Sequence, residues 1–308
     1  MSNNDSATTV AIIVPCYNVA GSIDALLSSL QQIQDPRIQV VFVDDGSTDD
    51  TVSKLAALEP ELPIAIIRTD NKGPGSARNT GLRNTQAQYV WFVDADDRIF
   101  VRPVEQHLDH LEGADVVSFA CAYDPSSDML ERFSNAGRVT AKIFRRDFLI
   151  EKEIYFADAY SSEDNYFQLQ VAELYRSETC FADTIYEVIE NPDSLTRGRF
   201  NPRWISRWDA IGAMLAFGRR NPRCGLEQLE EGLVSLSLGI TWAYYVERGK
   251  WFELLILLPR LLATLRNWRL VKHLGVFMAS GSRRNRVAKG LAISVALPLS
   301  LFARPIAP

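Results

Sequence analysis

The chain is poor in the two residue types that most often build metal centres and covalent cross-links. It has four cysteines and three histidines in 308 residues. The cysteines are Cys16, Cys121, Cys180 and Cys224, and no two of them form a C-x-x-C pair. Their wide spacing argues against a disulfide framework and against a cysteine-based zinc site. We expect free thiols, most of them buried.

Several common functional signatures are also missing. Residues 1–9 are small and polar without an apolar segment, which predicts a loose amino-terminal tail, no secretory signal and a cytosolic location. No G-x-x-x-x-G-K-[ST] or G-x-G-x-x-G motif follows the first predicted strand, which argues against nucleoside triphosphatases and dinucleotide-binding proteins. No Ser-His-Asp hydrolase pattern is evident. We expect no nucleic-acid partner.

Charge is distributed unevenly along a chain that is otherwise typical of a globular protein. Hydrophobic residues make up 47% of it, enough for a substantial core. The net charge is −5, but residues 240–308 contain eleven Lys and Arg and only two acidic residues, a local net charge of +9. The rest of the chain therefore carries −14. This predicts an acidic body that can hold a cation and a basic carboxy-terminal part that can meet an anionic surface.

Short apolar segments alternate with helical patterns in the first half of the chain. Strands are predicted at residues 10–15, 38–43, 64–68, 89–93, 116–123 and 139–146. Helical patterns follow the first two strands, a glycine-rich loop enters a helix at 75–85, and another helix starts at 163–174. The alternation favours an α/β fold with a mainly parallel, Rossmann-like sheet and helices on both faces. Beyond about residue 200 the pattern becomes helical.

Two acidic turns follow predicted strands, at residues 44–50 and 94–97. In such a sheet, ligands bind beyond the carboxyl ends of the strands, and both turns belong to that edge. Three segments at strand ends, VPCYN (residues 14–18), DDGSTD (44–49) and DADD (94–97), resemble the family 2 inverting glycosyltransferases of bacterial polysaccharide type. GSARNTG (75–81) and EDNYF (163–167) are similar to further motifs of that family. The resemblance extends over residues 10–196.

The resemblance implies a GT-A fold and a division of the chain. We expect a flexible tail (1–9), a catalytic domain (10–200) and a carboxy-terminal helical region (201–308). Within the catalytic domain, residues 10–105 would bind the nucleotide sugar and residues 106–200 the acceptor.

A nucleotide diphosphate is strongly negative, so a carboxylate-rich site can bind it only through a bridging cation or through hydrogen bonds to the base and ribose. The acidic turn therefore implies Mn²⁺ or Mg²⁺ with oxygen ligands. By resemblance, Asp96 is the direct metal ligand and Asp94 a ribose or second metal contact. The alternative is that these aspartates only cap helices and make turns.

The same resemblance predicts a nucleotide pocket. It places Asp45 against the base, with Pro15, Tyr17 and Asn18 lining the pocket, and it favours UDP while guanosine and thymidine donors remain open. DDGSTD is also a good turn and helix-cap sequence, with Ser47 or Thr48 as the cap, and Tyr17 is otherwise ordinary core. Arg78 is expected in the glycine-rich loop at a helix start, suited to phosphate or base contact. Its alternative is a solvated surface arginine.

Asp164 is the candidate general base. An acceptor hydroxyl that displaces a nucleotide diphosphate from the anomeric carbon must lose its proton, and a carboxylate can take it. The alternative is that Glu163 and Asp164 are an acidic pair favoured by a helix dipole. Tyr186 and residues 194–196 resemble the strand and loop that close the acceptor half of the family. The usual basic residue after the tyrosines is replaced by Glu187 and Val188, a departure that bears on acceptor recognition.

The leading hypothesis is an inverting transfer from a nucleotide-diphosphate donor to an acceptor hydroxyl, in cell-surface polysaccharide or glycolipid synthesis. A catalytically silent nucleotide-sugar-binding regulator is the alternative, and a nucleotidyltransferase is disfavoured because residues 15–24 offer no glycine-rich basic loop. Intact Asp96 and Asp164 favour the enzyme. The acceptor would be a saccharide or lipid-linked.

The carboxy-terminal region predicts peripheral attachment to the inner face of a membrane. An amphipathic stripe recurs at helical spacing, formed by Trp251, Leu254, Leu255, Leu258, Leu261, Leu262 and Leu265. A basic cluster of Arg283, Arg284, Arg286 and Lys289 precedes an uncharged run, residues 290–303, which as a helix is about 21 Å long and too short to span. The alternative is that the leucines pack on the catalytic body or on a second subunit of a homo-oligomer.

Overall fold

The structure is a computed structural model that describes residues 8–58, 63–111, 113–123, 139–189 and 206–221. Its contacts divide the chain into two compact units, Met1–Asn201 and Pro202–Pro308. The domain functions expected for these parts of the chain stay predictions.

The described residues of the first unit form eight strands and six α-helices. The strands are β1 (Val10–Cys16), β2 (Ile38–Asp44), β3 (Ile64–Arg68), β4 (Tyr89–Phe92), β5 (Arg98–Ile99), β6 (Val116–Tyr123), β7 (Lys142–Arg145) and β8 (Glu178–Val188). The helices are α1 (Asp24–Leu30), α2 (Thr51–Ala56), α3 (Pro74–Asn84), α4 (Val101–His107), α5 (Arg146–Glu151) and α6 (Glu163–Leu174), with short 3₁₀ turns at Leu108–His110 and Val139–Ala141.

All eight strands form one sheet in the order β3-β2-β1-β4-β7-β6-β8-β5. The first four strands are parallel neighbours, with Val10 opposite Ile38 on one side and Tyr89 on the other. The remaining pairings are antiparallel except β6 with β8. The α/β class and the parallel first half are confirmed, while the second half of the sheet is mixed. The strand expected at 139–146 divides into a 3₁₀ turn, β7 and the start of α5.

Alternate residues of β1 supply two separate cores. Val10, Ile12 and Val14 pack into a cluster on one face of the sheet, and Ala11 and Ile13 pack into a cluster on the other. All five are fully buried. Helices therefore cover both faces, as the continuous apolar strands predict.

Helix α3 begins earlier than the sequence pattern suggests. Residues 75–85 were expected to open as a loop, but α3 starts at Pro74, a residue whose fixed φ suits the first helical turn. Gly81 serves packing: a Cβ there would lie 2.4 Å from Cγ2 of Ile13. The glycines of this segment thus allow α3 to approach its neighbours, and a loop is not needed to explain them.

The described part of the second unit is α7 (Arg207–Arg220). It buries residues at helical spacing, namely Ala210, Ile211, Met214, Leu215 and Phe217. The leucine stripe, the basic cluster and residues 290–303 lie outside the described residues. In the part of the chain that the structure describes, no helix is both long and apolar enough to span a membrane.

Candidate active site at the carboxyl edge of the sheet

The two acidic turns lie at one edge of the sheet. They follow β2 and β4, which are both parallel to β1 and flank it. Parallel strands present their carboxyl ends at the same edge, so this part of the prediction is confirmed. The environments of the two turns differ.

The first two aspartates of the first turn are buried and bonded to protein. Asp44 is completely buried and accepts hydrogen bonds from Arg68 Nε (3.1 Å) and the Ser47 N–H (3.2 Å). Asp45, 3% exposed, accepts from Thr69 Oγ1 (2.9 Å) and from the backbone N–H groups of Lys72 (3.0 Å) and Gly73 (2.7 Å). Asp45 therefore holds residues 69–73 against the end of β2. Its contact with a nucleotide base stays a prediction.

The loop after β1 is joined to the first acidic turn. Asn18 has a positive φ of 51°, its Oδ1 accepts from the Thr48 N–H (2.8 Å), and its own N–H donates to Ser47 Oγ (2.9 Å). Ser47 and Thr48 thus bond the neighbouring loop, and the alternative that one of them caps α2 is wrong. The residue preceding α2 is Asp50, which makes no side-chain cap.

Tyr17 and Pro15 belong to the same region. Tyr17 is 37% exposed, so the alternative that it is ordinary core is wrong. Pro15 is half-buried at the penultimate position of β1, and the carbonyl of the next residue, Cys16, accepts the Asp45 N–H at 2.8 Å. A partly exposed aromatic ring beside this loop is suited to stacking on a base.

The second turn presents carboxylates. Asp94 and Asp96 are half-buried, whereas Asp97 is 6% exposed. Asp97 accepts hydrogen bonds from Tyr186 Oη (2.5 Å) and the Ile189 N–H (2.8 Å). Burial, with the nearby carboxylate of Asp94, raises the pKa of Asp97 to about 7 against the opposing effect of the Tyr186 hydrogen bond.

Tyr186 fixes the second turn from the end of β8. Its ring is fully buried, its hydroxyl donates to Asp97, and the Asp94 N–H donates to it at 3.3 Å. Sequence reasoning placed Tyr186 only in the acceptor half and assigned no task to Asp97. The fourth residue of DADD was the available signal for Asp97, but nothing in the sequence indicates its partner.

Arg78 lies between the second turn and α6. It is the fifth residue of α3 and 8% exposed, so both its expected position in a loop and the alternative of a solvated surface arginine are wrong. Its Nη2 donates to Asp94 Oδ1 (2.6 Å) and its Nη1 to Glu163 Oε1 (2.9 Å). Arg78 thereby connects two motifs that are far apart in sequence.

Asp164 is in the first turn of α6. It is half-buried, and its Oδ1 accepts the Asn165 N–H at 2.8 Å, whereas Glu163 is 7% exposed. Burial raises the pKa of Glu163, the adjacent Arg78 opposes this, and Asp164 adds to it. Ser162, just before the helix, has a left-handed φ of 64°, a strained conformation that clusters at functional sites.

The donor set of the second turn fits a hard divalent cation. Magnesium and manganese sites that bind phosphorylated substrates use one or two carboxylates together with phosphate oxygens and water. Asp94 and Asp96 can supply two carboxylates, and Asp94 also accepts a hydrogen bond from Arg78. Among the described residues, no group of three or more His, Cys, Asp or Glu side chains is placed to hold a metal. A cation here would therefore need donor oxygens from the substrate.

A cavity of about 690 Å³ lies beside α3, which sequence reasoning did not anticipate. It is lined by Lys72, whose N–H donates to Asp45, and by residues from α3 and from the segment before α6. Polar side chains dominate the lining. The remaining lining residues are Asn71, Ser76, Asn79, Arg83, Tyr155, Phe156, Asp158 and Tyr160.

Comparison with known proteins identifies the family. The family described as glycosyl transferase family 2 matches residues 11–182, more than half of the chain. The chain belongs to glycosyl transferase family 2. The region of this family 2 chain that matches includes both acidic turns, Arg78 and Asp164, whereas Tyr186 lies just beyond it.

Related sequences are glycosyltransferases. An uncharacterized glycosyltransferase of Rickettsia conorii is 33% identical over 106 residues, which are 34% of this chain and only 17% of that protein. The uncharacterized glycosyltransferase EpsJ of Bacillus subtilis is 27% identical over 222 residues, 63% of this chain and 64% of EpsJ. TarS of Staphylococcus aureus, a poly(ribitol-phosphate) beta-N-acetylglucosaminyltransferase, is 38% identical over 93 residues, 29% of this chain and 16% of TarS.

Solved structures establish the GT-A fold. TarS residues 1–349 in complex with UDP-GlcNAc superpose with a TM-score of 0.61 at 20% identity, covering 95% of this chain and 89% of that one. The mannosyltransferase PcManGT of Pyrobaculum calidifontis, in complex with GDP-Man and Mn²⁺, gives a TM-score of 0.54 at 19% identity, covering 97% and 84%. Such identities bear on the fold alone.

Proposed function

We propose that this family 2 glycosyltransferase is an inverting, metal-dependent enzyme that transfers a sugar from a UDP-linked donor to an acceptor hydroxyl. One observation carries the proposal: Arg78 bonds both Asp94 of the second acidic turn and Glu163, the residue before Asp164. The turn that suits a nucleotide diphosphate and the candidate base are therefore joined through one side chain. A site for displacement at a sugar carbon needs these two parts close together.

In the proposed reaction, Asp164 accepts the proton of the acceptor hydroxyl as its oxygen attacks the anomeric carbon. The new bond forms between that oxygen and the anomeric carbon, while the bond to the diphosphate breaks on the opposite face. The nucleoside diphosphate departs with the bonding electron pair, and no covalent intermediate with the protein is required. Inversion follows from this single displacement.

Asp96 and Asp94 would hold Mn²⁺ or Mg²⁺, which supplies charge neutralisation for the departing diphosphate. The half-buried position of both carboxylates supports this assignment. Tyr17, Pro15, Asn18 and Asp45 would surround the base, with Asn18 and Asp45 acting by holding the loops that line the pocket. TarS, a structural neighbour, is known with UDP-GlcNAc, which supports a UDP donor, and PcManGT with GDP-Man makes guanosine the competing donor.

The donor is best found by a thermal-shift screen of nucleotide sugars with Mn²⁺, because a ligand that binds the folded state raises the melting temperature. Transfer is then measured with the donor that stabilises the protein. The Asp164→Asn variant keeps the shape of the side chain but cannot accept a proton. We expect it to retain UDP affinity and to lose about 10²–10⁴-fold in transfer rate.

Three results would change the proposal. Turnover of Asp164→Asn at the wild-type rate moves the base to another residue, with Glu163 the next candidate. UDP affinity that is equal in EDTA and in Mn²⁺ removes the metal assignment. A product with the anomeric configuration of the donor contradicts inversion.

We also propose, from the sequence of residues 240–308 alone, that the chain attaches peripherally to the cytoplasmic face of a membrane, where a polysaccharide or glycolipid acceptor would be found. Basic charge with an apolar stripe is the combination that binds anionic interfaces. Flotation with anionic and neutral liposomes tests this. The full chain should float with anionic vesicles, and a chain ending near residue 245 should not. Failure of the full chain to float at low salt assigns the leucines to a protein core.

A further inference from the structure

Both terminal nitrogens of the Arg78 guanidinium donate to protein carboxylates. Nη2 bonds Asp94 and Nη1 bonds Glu163, at 2.6 and 2.9 Å. The guanidinium carbon also lies 5.1 Å from the centre of the Phe156 ring, within the range of a cation–π contact. Its remaining nitrogen, Nε, is buried and has no hydrogen-bond partner among the described residues. The side chain is therefore only 8% exposed, and both of its terminal nitrogens donate to protein carboxylates.

The helix that carries Arg78 is fitted closely to the segment before α6. A Cβ on Gly75 would lie 2.5 Å from the carbonyl oxygen of Ala157 and 3.1 Å from Cγ of Glu163. Asn79 binds the backbone of Phe156 twice, donating to its carbonyl (3.0 Å) and accepting its N–H (2.9 Å). Residues on both sides of Arg78 thus fix the distance between α3 and the start of α6.

Charge and shape suit Arg78 to holding two carboxylates. A guanidinium is planar, so it fixes the relative position of the groups that bind its two ends. Burial lowers the pKa of Arg78, and the carboxylates of Asp94 and Glu163 more than offset this, so its pKa is raised and the cation is retained. A lysine at this position would keep the charge but could not bridge both partners in the same geometry.

We propose that Arg78 is a positioning residue, which holds Asp94 of the donor turn and Glu163 beside the general base in one fixed arrangement, and that it does not bind the nucleotide. This inference rests on the proposed function and names a specific coupling within that site. It replaces the expectation that Arg78 contacts phosphate or base. Holding Glu163 also fixes the position of Asp164, because Asp164 follows it directly in the first turn of α6.

The test compares Arg78→Lys with wild type in three measurements: UDP affinity in Mn²⁺, the donor KM, and kcat for transfer. A misplacement of about 1 Å can lower a rate by about 10²-fold, so we expect kcat to fall about 10²-fold. Because Asp94 shifts slightly when Arg78 is replaced, UDP affinity and the donor KM should change, but by less than about fivefold. Arg102→Lys is the matched control, since Arg102 is an exposed arginine of α4 that pairs with Glu105 at 3.6 Å, and it should behave as wild type.

A double-mutant cycle separates positioning from nucleotide contact. Arg78→Met, Glu163→Gln and the double variant are compared by kcat, because residues that act as a unit show non-additive effects. We expect the double variant, which removes both members of the buried ion pair, to be no slower than Arg78→Met alone. If Arg78→Met fails to fold, Arg78→Lys replaces it in the cycle.

Three outcomes overturn the proposal: additive effects in the cycle, an Arg78→Lys variant with wild-type kcat, or one whose UDP affinity falls as far as its kcat. Wild-type protein that binds UDP but transfers no sugar contradicts the proposed function instead. In that case, loss of UDP affinity in Arg78→Lys still decides whether Arg78 contacts the nucleotide.

Discussion

The two acidic turns, residues 44–50 after β2 and residues 94–97 after β4, start with aspartate at the same edge of one sheet and lie in different environments. In the first turn, Asp44 and Asp45 are 0% and 3% exposed. In the second, Asp94 and Asp96 are half-buried, and only Asp97 is buried. A motif rich in aspartate can therefore stabilise a loop or present a binding site, and its sequence alone does not distinguish the two.

The difference arises from what each carboxylate meets. Residues 69–73 lie against the end of β2 and donate a hydroxyl and two backbone N–H groups to Asp45. At the second turn, Asp97 accepts hydrogen bonds from Tyr186 and from the Ile189 N–H. Asp94 accepts one from Arg78. The first turn thus uses Asp44 and Asp45 to order backbone, whereas the second uses Asp97 for that task and keeps Asp94 and Asp96 half-buried.

The largest expected effect is on the second turn. Asp96→Asn removes the proposed main metal ligand, and metal stabilisation of transition-state charge is worth several kcal/mol. We expect transfer to fall by about a thousandfold, while the thermal unfolding temperature changes little because the side chain is half-buried. Calorimetry with UDP and Mn²⁺ should show weakened binding. Wild-type turnover by this variant would remove Asp96 from the site.

A substitution in the first turn should have the opposite signature. In Asp45→Ala, the N–H groups of Lys72 and Gly73 lose their acceptor, and a buried donor without a partner costs about 1–3 kcal/mol. We expect the free energy of unfolding to fall by about 2 kcal/mol in urea denaturation. UDP affinity should decrease as a secondary result of the displaced loop. A fully stable variant that loses UDP affinity would instead support direct base contact.

Tyr186→Phe tests how the second turn is held. The change deletes one oxygen, which removes the hydrogen bond to Asp97 and the acceptor of the Asp94 N–H. We expect a loss of about 1–2 kcal/mol in unfolding free energy, and a weaker apparent affinity for Mn²⁺ in the presence of UDP. Tyr175→Phe is the control, since Tyr175 is 39% exposed at the end of α6. Unchanged Mn²⁺ affinity in Tyr186→Phe would show that the turn keeps its shape without the hydroxyl.

The smallest expected effect is at the loop that joins the first turn to β1. Asn18→Gly keeps the positive φ but loses the hydrogen bond from the Thr48 N–H to Asn18 Oδ1. That hydrogen bond is exposed to solvent. We expect a loss of about 0.5–1 kcal/mol in unfolding free energy, and a UDP affinity within about threefold of wild type. A larger drop in affinity, without a matching loss of stability, would assign the Asn18 side chain to the nucleotide.

Much of this architecture could be predicted locally. β3 was predicted with its observed bounds, and β1, β2 and β4 to within one residue, because buried parallel strands are continuous apolar runs between polar turns. The strand directions of the second half could not be predicted, since β7 pairs with β4 and β6, partners that are distant in sequence. The glycine-rich pattern predicts a loop where α3 in fact begins. Gly75 and Gly81 are required by tertiary contacts of the helix.

Local patterns were enough to identify the family, the parallel start of the sheet and the positions of both acidic turns, since strand periodicity and short motifs are local properties. Only the tertiary structure decided which aspartates are buried, that Tyr186 bonds Asp97, and that Arg78 connects Asp94 with Glu163. Those outcomes depend on which distant segment supplies a donor to each carboxylate. Burial and hydrogen-bond partners are properties of the assembled fold, and no local pattern of residue types specifies them.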